Sequence, residues 1–97
     1  MHTDAFHHSL ALIDYVALFL PRIQLHDVKL ARVLRSVATA MPLHIATGEP
    51  ERIARAHGAA ARVLVLLEIA QAWGYVHEDD IAEAQHTAHH VHKLTAP

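Results

Sequence analysis

The sequence predicts an all-α fold: an up-down-up-down four-helix bundle formed as a single domain over residues 1–97. Three observations carry this. Ala is the commonest residue, 18 of 97, with only three Gly and four Pro, and Ala and Leu are the strongest helix formers. Apolar residues recur at helical spacing in four segments, with helix breakers between them. The connections are short, which makes sequence neighbours antiparallel.

The first helix is expected from about Asp4, a candidate N-cap, to Leu20, where Pro21 ends it. Phe6, Leu10, Ile13 and Ala17 form its apolar stripe, widened by Leu12, Val16, Phe19 and Leu20. The second starts at Asp27, another N-cap candidate, and shows Leu30, Leu34, Val37 and Met41 at helical spacing. Pro42 stops or kinks it, with Ile45 and Ala46 in a last turn before Gly48. The third opens at Glu49-Pro50-Glu51, with acids near the positive end of the helix dipole and Pro near the first position. It runs to Trp73, and Gly74 supplies the left-handed residue after it. The fourth opens with Glu78-Asp79-Asp80 and continues to about His92.

Composition excludes several classes. Hydrophobic residues make up 53% and cysteines zero, which rules out a disordered chain and a disulfide scaffold and fits a cytoplasmic protein. The longest apolar runs, 15–20 and 63–67, are core-sized, so no membrane span is expected. The opening MHTDAFHH carries Asp4 and no Lys or Arg, unlike a signal peptide. The stretch AAARVLVLLEIA of helix three is apolar almost all the way round and requires cover on every side. With a mean hydropathy of +0.17, it predicts a homo-oligomer. Gly58 and Ala59 to Ala61 are expected at the centre of that helix's packing.

Charge is uneven. Residues 1–21 carry −2, residues 22–62 carry +4 and residues 63–97 carry −4. Lys29, Arg32 and Arg35 lie off the apolar stripe of helix two, and Arg52, Arg55 and Arg62 do the same on helix three. Six basic side chains on adjacent helices suit a nucleic-acid backbone, RNA or DNA. The competing reading is a solvated face paired with the acidic fourth helix.

Two segments resemble a known family. Ala38-Thr39-Ala40-Met41-Pro42-Leu43-His44-Ile45-Ala46-Thr47-Gly48 is similar to the "AAVSIPSNIAEG" segment of the small four-helix-bundle proteins encoded in 23S rRNA intervening sequences. The stretch from Gly58 through Leu67-Glu68-Ile69-Ala70-Gln71-Ala72-Trp73-Gly74-Tyr75-Val76 is similar to that family's "LGSLAELETQLLIAKDLGYLSEEE". Arg62 and Leu64 stand where the family has an acidic pair, and of its paired arginines only Arg35 remains, followed by Ser36. The resemblance implies a homopentameric barrel without known catalytic activity. One branch, the accessory protein of diversity-generating retroelements, would make nucleic acid and a reverse transcriptase its partners.

Two rival chemistries have local support. Arg52 and His57 spell R-x4-H, which resembles the motif of the all-helical HEPN ribonucleases and would cleave RNA without metal. His86 and His90 stand one helical turn apart with His89 and His92 close by, and two such histidines reach one Zn²⁺. His7 or His8 could supply a third ligand if helices one and four are neighbours; no cysteine is available and no carboxylate at ligand spacing completes the set. His57-Gly58 lacks the Lys-Gly pair of a histidine phosphotransfer domain, having Ala59 and Ala60 there. Trp73 and Tyr75 are expected to lock the turn at Gly74 into the core. The expectation is therefore a non-enzymatic scaffold, with no catalytic residue, cofactor or bound metal assigned.

Overall fold

The computed structural model describes residues 2–97 and holds four helices: α1 (Thr3–His26), α2 (Val28–Thr47), α3 (Pro50–Ala72) and α4 (Glu78–Leu94). Among the described residues all regular structure is helical. Each helix packs on the next and α4 closes onto α1. Thus α2 and α4 stand at opposite corners of the bundle, as do α1 and α3. The longest dimension, 38 Å, is about the length of a 24-residue helix at 1.5 Å per residue.

Pro21 does not end α1. It lies inside the helix on an exposed position, where the carbonyl it leaves unbonded faces water. Ile23, fully buried, continues the core line one turn past Phe19 and holds the extra turn in place. Asp4 sits in the first turn, and the N-cap is His2. The buried line of α1 is Ala5, Ser9, Leu12, Val16, Phe19 and Ile23. The expected stripe lies roughly 100° round the axis, leaving Leu10 and Ala17 exposed. This helix is apolar on two flanks, and spacing alone does not choose between them.

Asp27 alone joins α1 to α2, and its Oδ1 accepts from the Leu30 N–H at 2.9 Å, the cap expected there. Pro42 is buried within α2, which continues through Ile45 to Thr47. Gly48, at φ 70°, caps it in a conformation that side chains resist. Gly74, at φ 81°, closes α3: its N–H donates to the Gln71 carbonyl and that of Tyr75 to the Ala70 carbonyl, a Schellman ending.

Phe19, Leu12, Ile23, Leu34, Met41, Leu67 and Ile81 fill the centre. Alanines let α3 approach its neighbours, with Ala56, Ala60 and Ala70 fully buried. Gly58 is not at that contact. It is exposed, and an added Cβ would meet nothing within 4 Å.

Helix α3 buries Ile53, Ala56, Ala60, Val63, Leu67 and Ala70 but leaves the other side of its apolar half open. Val65 is 54% exposed, Ile69 39% and Trp73 69%. Trp73 therefore lies outside the core, contrary to expectation, because it follows Val65 and Ile69 on the outer line. Tyr75 is half-buried and stacks on His26, with ring centres 5.3 Å apart and planes within 2°. Leu18, Leu25 and Leu43 are also exposed, whereas α4 has no exposed large apolar residue. No described helix is long and apolar enough to cross a membrane.

Candidate functional site

All six basic candidates, Lys29, Arg32, Arg35, Arg52, Arg55 and Arg62, are exposed. Among the described residues the sole ion pair is Arg22 to Asp80, 3.0 Å, joining α1 to α4. Topology explains this. Lys29, Arg32 and Arg35 ride on α2, and the acidic first turn of α4 lies at the opposite corner of the bundle. The acidic first turn of α4 therefore makes no ion pair with α2 among the described residues.

The six do not form one patch. Arg32 and Arg35 line a groove of about 140 Å³ shared with Leu20 and Gln24 of α1. Because α3 packs on the other flank of α2, these two guanidinium groups are turned away from it. Arg55 and Arg62, seven residues apart, lie near one line of α3. Lys29 and Arg52 sit in the first turns of α2 and α3, which antiparallel packing puts at opposite ends of the bundle. Gln24 is a groove member that the sequence signalled only through its i,i+4 relation to Leu20.

Two histidine groups form. In the first, α1 and α4 are neighbours, and His8 meets His90 edge to face with ring centres 4.4 Å apart. His8, Tyr15, Glu83, His86 and His90 line one groove of about 350 Å³. Glu83 lies one turn before His86 and lines the same groove, but among the described residues no group of three or more His, Asp or Glu is placed to hold a metal ion. His7 is exposed and does not line this groove.

In the second, His57 and His92 stack with centres 3.8 Å apart. The His57 Nδ1 donates to the His92 carbonyl at 2.8 Å, which places the proton on Nδ1. Thr95 Oγ1 stands 3.4 Å from that nitrogen. Burial holds His92 below the ordinary histidine range, with repulsion from His57 and then His89 adding to it. Arg52 has no hydrogen bond or ion pair to His57 among the described residues, and the two are not drawn together within one chain.

The Asp80 carboxylate is held below the usual carboxylate range, first by the Arg22 hydrogen bond and then by the His77 N–H. It accepts from that N–H at 2.9 Å and so fastens the start of α4. Comparison of the chain with family models, with curated proteins and with solved structures finds no match.

Proposed function

We propose that this chain is a non-enzymatic scaffold that assembles with copies of itself and binds nucleic-acid backbone on two separate basic surfaces, Arg32 with Arg35 beside α1 and Arg55 with Arg62 on α3, with Lys29 and Arg52 at opposite ends of the bundle. One observation carries the reading: among the described residues these six exposed cations make no ion pair. Unpaired arginines on the outside of rigid helices suit phosphate, because the guanidinium fork bonds it bidentately without losing an existing partner.

Assembly rests on the outer line Val65, Ile69 and Trp73 together with Leu18, Leu25 and Leu43, all exposed. Apolar surface spread over α1, α2 and α3 but absent from α4 is an asymmetry that a self-associating bundle explains. The resemblance to the intervening-sequence proteins adds a pentameric ring, in which cations repeat around the axis and their fields reinforce. A reverse transcriptase is the protein partner that resemblance supplies.

The test is a titration of labelled single- and double-stranded RNA and DNA at about 50 and 200 mM salt, read by anisotropy and strand length; several phosphate contacts weaken binding by orders of magnitude across that range. Intact strands bound in this way support the scaffold. Absence of binding at the lower salt removes the nucleic-acid role. Shortened strands, with cutting abolished in His57→Ala, would replace the scaffold by a ribonuclease using Arg52 and His57.

A further inference from the structure

We infer that the groove between α1 and α2 receives a single unpaired pyrimidine base, with the flanking phosphates held by Arg32 and Arg35. This rests on the nucleic-acid reading above and names the form of strand it takes. Leu20 and Gln24 stand one turn apart on α1, and Val28, Ala31, Arg32 and Arg35 recur at helical spacing on α2, so both sets face one seam. Asp27 alone separates the two helices, which sets the recess beside that turn. Its volume is about 140 Å³. That is below the roughly 300–1,000 Å³ that holds a drug-sized molecule, and it suits one ring rather than the two of a purine. Leu20, Val28 and Ala31 give it apolar walls, and Val28 is 53% exposed, so a base lying there covers apolar surface now in water.

The polar groups fit the two parts of a nucleotide. The Gln24 amide presents a donor and an acceptor side by side. That pair matches the N3–O4 edge of uracil or thymine or, with the amide turned over, the N3–N4 edge of cytosine. Arg32 and Arg35 also line a second, more open trough of about 450 Å³ that runs on along α2 past Ser36 and Thr39 to Leu43. The two guanidinium groups thus stand where the hollows meet, with no ion pair among the described residues, and charge complementarity gives that junction to phosphate. One strand laid along α2 puts a base in the recess and its backbone over the trough. A duplex does not fit: its base edges are read by an element that protrudes into a groove, whereas this site is concave. Unstacked bases of a single strand are free to enter a pocket. An acidic side chain of a second copy could pair with the arginines, but it has no ring to fill the recess and no edge to meet Gln24.

The experiment is an anisotropy titration of the full chain with labelled oligo-dT, oligo-dA and a duplex of equal length, at about 50 and 200 mM salt. Oligo-dT is expected to bind at least about tenfold tighter than oligo-dA or the duplex. Backbone flexibility alone can favour pyrimidine runs, and Gln24→Leu separates that from a base held in the recess. This variant keeps the bulk and removes the hydrogen-bonding edge, so it should weaken oligo-dT binding at least about fivefold and leave oligo-dA, duplex and the salt slope unchanged. Arg32→Ala and Arg35→Ala should each lower the slope of log affinity against log salt on oligo-dT by about 0.7. All three side chains are exposed, so these variants should fold, and circular dichroism checks that they do. Equal affinity for the three ligands, with the arginine effects intact, would overturn the base site and leave the backbone reading standing. Unchanged oligo-dT affinity in Gln24→Leu would assign any preference to strand flexibility and overturn it as well. Strand binding unaffected by the arginine variants, with self-association lost instead, would give the groove to an acidic segment of a second copy. Absence of binding to every strand at the lower salt would remove both this site and the nucleic-acid reading.

Discussion

His57 and His92 stack at 3.8 Å between ring centres, and His57 donates from Nδ1 to the carbonyl of the residue it stacks on. That arrangement suits neutral rings and penalises a charge on His92, whose protonation burial already disfavours. The unfolded chain takes up this proton at about pH 6.5, whereas the folded chain takes it up only at lower pH. The stability supplied by neutral His92 is therefore complete above about pH 6.5 and is lost as pH falls from there through the depressed folded value. Melting temperatures between about pH 7.5 and 5 should fall less steeply for His92→Gln than for the native chain. Equal slopes for the two would remove His92 as the cause.

Asp27 is the whole connection between α1 and α2, and it caps the second helix through Leu30. Replacing it with Ala should lower stability by about 1 kcal/mol, read from urea unfolding. Asn keeps the accepting oxygen, so Asp27→Asn should stay within a few tenths of a kcal/mol of the native chain. An equal loss from both substitutions would mean that the cap is not what Asp27 contributes.

The other Asp27 oxygen lies 3.5 Å from the Tyr75 hydroxyl. Desolvation raises the Tyr75 phenol above its ordinary value, and the Asp27 charge raises it further. In a spectrophotometric titration of tyrosinate, Asp27→Asn should bring this phenol partway back toward about 10. A full return would make Asp27 the larger cause, against the expected order.

These contacts mark how far the sequence could be read. The cap at Asp27, the close of α3 at Gly74 and four helices were legible, because each depends on neighbours in the chain. The phase of α1 was not. Leu10 and Leu12 have the same chemistry, and only packing on α2 and α4 decides which faces inward. Pro21 misled for a related reason: its local penalty is set against the tertiary packing of the turn that follows, where Ile23 is buried. The separation of Arg32 and Arg35 from Arg55 and Arg62 depends on which flank of α2 meets α1, and composition does not carry that. The meeting of His8 with His90 was conditional on a helix adjacency that only the tertiary structure supplies.

Val65, Ile69 and Trp73 recur at every fourth residue on the outside of α3 and remain in water in the isolated chain. Sedimentation equilibrium at micromolar concentration should find a species several times the 10.7 kDa chain mass. Ile69→Glu places a charge in the middle of that line and should return the protein to the monomer mass with little change in helix content. A native chain that sediments at the monomer mass would refute assembly through α3.

The basic groove gives a prediction with an internal control. Arg32 and Arg35 share the cleft between α1 and α2, with no carboxylate bonded to them among the described residues. Arg22, the last arginine before this set, is already bonded to Asp80. If phosphates sit on Arg32 and Arg35, each replacement by Ala should lower the slope of log affinity against log salt by about 0.9 on duplex DNA. The loss should be uniform across nucleic-acid sequences, because a phosphate contact carries no base information. Arg22→Ala should leave the slope unchanged, since its charge is spent on α4. A slope that falls equally for Arg22 would mean that affinity follows net charge alone. One that falls for neither Arg32 nor Arg35 would move the contact to the α3 side, where Arg55→Ala and Arg62→Ala should then lower it.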